Sequence, residues 1–143
     1  MRLADAARLD DRDFAAALRL VQTVDEGRDP DLTPSTDTEV RLRFTVDRSD
    51  HARHDRVVAF DGPRAVALGH LERTRDPANR SIVTCEIDHL DDQDPALAVL
   101  NRMLDLAETD GRTSLMSWAP FTDANDSFWT GLGAERRYTE RQS

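Results

Sequence analysis

Between residues 82 and 118 the hydrophobic period of the chain changes twice, and that constrains the fold more than any other stretch. Ser81-Ile82-Val83-Thr84-Cys85-Glu86-Ile87-Asp88 is an apolar, β-branched run of strand length. His89-Leu90-Asp91-Asp92-Gln93-Asp94-Pro95 follows as an acidic loop. Ala96, Val99, Leu100, Met103, Leu106 and Ala107 then recur at helical spacing, opposite a wet face of Asn101, Arg102, Asp105, Glu108 and Thr109. Asp94 is placed to cap this helix, Pro95 suits its first turn, and Gly111 stops it. Residues 113–118, with Leu115-Met116-Ser117-Trp118, form the next strand. A strand, helix and strand joined this closely predict a right-handed β-α-β crossover with parallel pairing. The loop where such a unit exposes its helix N–H groups to an anion carries three aspartates.

The rest of the chain frames this unit. Asp10-Asp11-Arg12-Asp13 is a helix start, and Phe14, Ala17, Leu18, Val21 and Val24 give the first helix its apolar stripe; Gly27 and Pro30 end it. Residues 35–46 are ambiguous. Ser35 followed by acidic residues reads as an N-cap, while Val40, Leu42, Phe44 and Val46 alternate at strand period. Residues 47–55 read as a polar loop, with His51 and His54 as solvated side chains rather than metal ligands. Residues 56–60 and 65–71 read as a hairpin about Asp61-Gly62-Pro63, and Gly69 inside it signals a bulge or a close backbone approach. Residues 73–80 form a turn, so the strand at 81–88 runs antiparallel to its predecessor. A short helix at 124–132 and a last strand at 134–141 complete the order.

Composition removes several function classes. The net charge of −9 lacks the basic face that nucleic acid requires. No apolar run approaches the ~20 residues of a membrane span, and the first residues lack a secretion-signal core, so a cytoplasmic domain is expected. Cys85 is the only cysteine, which leaves no internal disulfide and no multi-cysteine metal site. Every basic residue is arginine, which removes lysine Schiff-base chemistry. The acidic run at 88–94 lacks the spacing and glycine of an EF-hand loop, so no metal site is expected. Cys85, Ser114 and Ser117 have no partner set for nucleophilic catalysis.

Three segments, in this order, resemble one superfamily. Residues 56–71 form a hairpin with a glycine at position 69. Met103-Leu104-Asp105-Leu106-Ala107-Glu108-Thr109-Asp110-Gly111-Arg112-Thr113 reads as a helix end and its exit. Phe128-Trp129-Thr130-Gly131-Leu132-Gly133-Ala134 resembles a pattern F-Y-x-x-x-G-F. Together they resemble the Gcn5-related N-acetyltransferase (GNAT) superfamily, over about two thirds of the chain. The tail Tyr138-Thr139-Glu140-Arg141 resembles a subgroup in which two such domains occur in tandem. The resemblance implies one α/β (α+β) domain over residues 1–143, with a mixed, largely antiparallel central sheet flanked by helices. Residues 1–55 would be its helical acceptor side and 56–143 its sheet and cofactor-helix part. It also selects a helix for the ambiguous stretch at 35–46.

The same resemblance implies acyl transfer from acetyl-CoA to a small-molecule or protein amine. Ile87, Asp88 and His89 would meet the cofactor through their backbone, and Gln93 and Ala96 at the helix start. Glu86 would be the general base, with His89 as runner-up, and Tyr138 the acid that protonates the thiolate. Two departures open a second expectation. The family's cofactor loop reads Q/R-x-x-G-x-G/A, and Asp91-Asp92-Gln93-Asp94-Pro95-Ala96 stands there, matching only at Ala96. Asp94 opposes a pyrophosphate by bulk and charge, and Pro95 has no N–H to give. Trp129 stands where many members carry tyrosine, and an indole is no acid at neutral pH. The second expectation is therefore a catalytically degenerate GNAT-fold module with a structural, dimerisation or regulatory role, as a homodimer or beside a second GNAT domain.

Overall fold

The computed structural model describes residues 1–28, 31, 33–45, 52–74, 82–90, 92–112 and 114–117. Among them are strands β1 (Arg2–Asp5), β2 (Ala52–Asp61), β3 (Arg64–Thr74), β4 (Ile82–His89) and β5 (Ser114–Ser117). The helices are α1 (Asp11–Arg28), α2 (Asp37–Thr45) and α3 (Asp94–Thr109). The strands form one sheet in chain order. The first four pair antiparallel, and β5 pairs parallel to β4 with Cys85 opposite Ser117. This is the mixed, largely antiparallel sheet with one crossover that the sequence implies. The helix and strand expected at 124–132 and 134–141 lie outside the described residues.

Alternation along the strands divides the apolar residues between two cores. Val57, Ala59, Ala67, Leu71, Val83, Cys85 and Ile87 pack against Ala96, Val99, Leu100, Met103 and Ala107 of α3. Val58, Phe60, Ala65 and Leu68 pack on the other face, against Phe14, Ala17, Leu20 and Val21 of α1 and Val40 and Phe44 of α2.

Local chemistry explains the helix ends. Asp10 accepts the Asp13 N–H at 2.8 Å and caps α1. Residues 37–45 are helical, and the strand-like alternation is broken where it matters: Val40 and Phe44, four apart, are buried, while Leu42 is 63% exposed. The cap of α2 is Thr36, not Ser35. Thr36 Oγ1 accepts from the Glu39 N–H at 3.2 Å and its carbonyl accepts from the Val40 N–H. Ser35 instead donates its hydroxyl to Asp25 at 2.7 Å, which ties the entry of α2 to α1. At the far end of α3, Gly111 takes φ 71 while the Gly111 and Arg112 N–H groups close on the Glu108 and Ala107 carbonyls.

Two features depart from the sequence reading. The first residues form strand β1, and β2 begins at Ala52, so the first 55 residues are not purely helical and His54 lies on a strand rather than in a loop. The irregularity in the hairpin falls at Ala59/Phe60, not at Gly69. Gly69 serves the other purpose a strand glycine can have. A Cβ there would overlap Val99 Cγ1 and stand 2.8 Å from Met103 Sδ, so its missing side chain is what seats α3 on β3. The opposite end of the strand is fastened by charge. Buried Arg73 bonds Asp55 at 2.6 Å and lies 3.9 Å from Asp110, while Arg112 bonds Asp110 at 3.0 Å and the Thr74 carbonyl at 2.8 Å.

Gly69→Ala is therefore expected to cost about 1–3 kcal/mol in urea unfolding, through overpacking against α3. Adding Val99→Ala should recover part of that loss. Simple additivity of the two single costs would refute the contact.

Candidate functional site

Strand β4 presents its two sets of side chains to two different environments. Val83, Cys85 and Ile87 point into the core under α3 and are buried. Burial pushes the Cys85 thiol up to about 12, with Glu86 adding to the rise and the Ser117 hydroxyl opposing it. A thiol so placed is protonated and inert at neutral pH, as expected from the sequence. Thr84, Glu86 and Asp88 alternate onto the face that α1 and α2 partly cover, and Glu86 is exposed there.

The register sets a polar row across that face. Arg56 on β2 is opposite His70 on β3, and His70 is opposite Glu86 on β4. The next row holds His54, Glu72 and Thr84. His54 and His70 meet diagonally, with Nδ1 of His54 2.8 Å from Nε2 of His70. Their ring planes differ by 20° and the centroids are 5.1 Å apart, the separation of two rings joined edge to edge through such a bond. The imidazoles thus lie end to end in nearly one plane and share one proton between facing nitrogens. Burial, then the charges of Arg56, His54 and Arg43, lower the His70 pKa to about 4. The pair is half-buried and His70 is neutral at physiological pH.

The other side of the candidate site is the entry of α3. Asp94 is the first helical residue and not the cap. Gln93 holds the cap position with helical backbone angles, φ −86 and ψ −16, and its side chain caps nothing. The cap is supplied from further back: Asp92 Oδ1 accepts the Asp94 N–H at 3.0 Å. The Leu97 N–H is engaged by the Gln93 carbonyl at 3.0 Å, and Pro95 has no N–H. Two of the positions from which a helix start normally offers an N–H to an anion are thus taken or lack one. Ala96 is fully buried beneath the helix, so its side chain only packs. Ile87 is likewise buried. His89 is half-buried at the end of β4, and its Nδ1 donates to the Leu90 carbonyl.

The residues expected from sequence fall into three groups. Glu86 is on the open face. Asp88, His89 and Gln93 lie where the chain passes from β4 into α3, and Ile87 and Ala96 are buried in the core beneath. Tyr138, Trp129 and Asp91 lie outside the described residues. The His54–His70 pair and Arg56 escaped the sequence reading. The signal was present: folding the chain back about the Gly62-Pro63 turn brings residues 54 and 70 to within two positions of each other.

The sheet order, the β3 glycine under α3 and the β4-α3-β5 crossover are those of the fold that solved GNAT acetyltransferases share. No family profile and no curated protein matches the sequence. Solved structures match the fold. One is a tandem GNAT protein from the clavulanic acid biosynthesis pathway, with TM-score 0.73 and 19% identity over 95% of this chain and 44% of that one. A ribosomal-protein-alanine N-acetyltransferase from Brucella melitensis gives 0.67 and 16% identity over 99% of this chain and 97% of that one. The glucosamine-6-phosphate N-acetyltransferase of Arabidopsis thaliana gives 0.65 and 16% identity over 99% and 96%.

Because the His70 pKa is near 4 in the fold and 6.5 is its ordinary value, the unfolded chain binds a proton in that window and the native chain does not. Stability should fall as pH drops from 6.5 toward 4, and this contribution should be flat above 6.5. Urea midpoints at pH 7 and 5 for the native chain and for His70→Gln test it: the variant should show the smaller loss. Equal losses would refute a neutral His70.

Proposed function

We propose that this chain is an N-acyltransferase-type domain of the GNAT fold with an amine-acceptor face but little grip on acetyl-CoA, acting as the companion of a domain that holds the cofactor. One observation carries this reading: the Asp92 carboxylate occupies the first N–H of α3, where a pyrophosphate would need a donor. An incoming diphosphate must displace that carboxylate and then sit beside it. At ~4 Å each like-charge contact costs ~1 kcal/mol in water and ~4 near a protein surface. Pro95 has no N–H that would offset this. A chain of net charge −9 also repels a polyanion at longer range. The tandem GNAT neighbour supports a companion role, since this chain spans less than half of it. A second GNAT domain or a homodimer is the partner this reading expects. No helix among the described residues is long and apolar enough to cross a membrane; we place the domain in the cytoplasm.

Calorimetric titration with acetyl-CoA at moderate salt tests the reading. No saturable binding below about 1 mM is expected, and micromolar binding would sink it. Asp91→Arg combined with Asp92→Ala should strengthen binding at least about tenfold, a change of ~1.4 kcal/mol. If it does not, the loop is not the cofactor cradle.

A second reading is favoured by the open face of β4. Glu86 is exposed there, beside a neutral imidazole, where it could take a proton from an acceptor amine before attack on the thioester. Tyr138 or water would then protonate the departing thiolate of acetyl-CoA. Under this reading the domain acetylates a small-molecule or protein amine unaided. Glu86→Gln should then lower kcat/KM by about 10²-fold or more in an acetyl-CoA-dependent amine assay, with the loss shrinking as pH rises.

A further inference from the structure

We propose that the row Arg56–His70–Glu86 is a binding site for a zwitterion: a primary amine whose molecule also carries a separate acidic group, the amine seated at Glu86 and the acid at Arg56. This deepens the reading of that face as the acceptor side and rests on it. The row places one residue on each of three neighbouring strands, in direct register and on the same face. Adjacent strands lie about 4.8 Å apart, so the cation and the anion start about 10 Å from each other. Between them stands an imidazole whose outer partner, His54, holds it by a 2.8 Å bond in a nearly coplanar pair. A row built only for stability would put opposite charges side by side, where cross-strand pairing helps most. Here a neutral ring stands between them, so the row has a positive and a negative end.

The surroundings reinforce this polarity. Arg43 on α2 and Arg56 are the arginines whose charge is felt at His70. Glu72, opposite His54, and Asp88, two residues beyond Glu86, are the other charged groups of β3 and β4 on this face. A guanidinium recognises a carboxylate or phosphate oxygen pair, and a carboxylate recognises an ammonium by charge-assisted bonds. Arg56 and Glu86 have contacts of their own, which a ligand must replace, so affinities of about millimolar are expected for small probes.

Ring resonances of His54 and His70 in the full chain give a readout that needs no turnover. Titration with 6-aminohexanoate should shift them saturably, and hexylamine and hexanoate should bind at least about tenfold more weakly. Arg56→Gln and Glu86→Gln should each weaken 6-aminohexanoate at least about tenfold. Arg43→Gln, at an exposed position, should weaken it less and guards against a folding defect in the others. The proposal is overturned if neither 4-aminobutyrate nor 6-aminohexanoate gives a saturable shift, if hexylamine binds as well as 6-aminohexanoate, or if Arg56→Gln leaves the affinity unchanged. Acetyl-CoA titrated in the same spectra separates this from the cofactor question. Zwitterion binding without an acetyl-CoA response upholds both proposals, whereas micromolar acetyl-CoA binding overturns only the companion role.

Discussion

The contact of α3 with the bare backbone of Gly69 is the constraint on which the rest of the site depends. Val99 and Met103 fill the place where any other residue on β3 would carry a side chain. That close approach sets how deeply the helix sits on the sheet, and so where its first turn lies relative to the end of β4. The Schellman-type exit at Gly111 and the Arg73–Asp55–Asp110–Arg112 cluster hold the other end of the same helix. With the helix so seated, its entry lies beside His89 and Leu90, where β4 ends.

Strand β4 joins the two halves of the site because its side chains alternate. Its apolar set is used up in the α3 core, which leaves its polar set to face α1 and α2. Glu86 therefore reaches the open face by the same period of two that buries Cys85 and Ile87. The polar face and the face under α3 are thus set by neighbouring residues of one strand. Charge can differ between the two sides without altering the fold. A polar row including Arg56, His70 and Glu86 lies on one side, and a loop with Asp92 and Asp94 on the other.

Where a local rule acts alone, the sequence was sufficient. The α1 start at Asp10, the α3 stripe, the Gly111 stop and the Gly62 turn each depend on residues within a few positions of each other. Where two rules compete, it was not. At 40–46 the alternation argued for a strand, and burial of Val40 and Phe44 against α1 decided for a helix. Asp94 looked like the cap because it directly precedes Pro95, but Asp92 reaches two residues forward and takes that place. β1 is only four residues long, too short for any period to show. The His54–His70 pair depends on hairpin register, which the bulge at Ala59/Phe60 shifts by one residue, and periodicity carries no information about such a shift.

The entry of α3 has an energetic consequence that composition alone would not suggest. A side-chain cap is intramolecular, so its carboxylate competes with any free anion at a high effective concentration, and it contributes about 1 kcal/mol to the helix. Breaking it to admit a diphosphate loses that contribution and then adds the repulsion of the displaced carboxylate, at ~1–4 kcal/mol for each contact. Removing the carboxylate frees the Asp94 N–H, while Pro95 still has none to give. The impediment is therefore partly electrostatic and partly a shortage of donors. High salt would screen the first, with a Debye length of about 3 Å at 1 M, and leave the second untouched. A helix start of this kind favours an internal anion over an external one, even though the sheet, the seated helix and the exit strand around it have the geometry of an acetyltransferase.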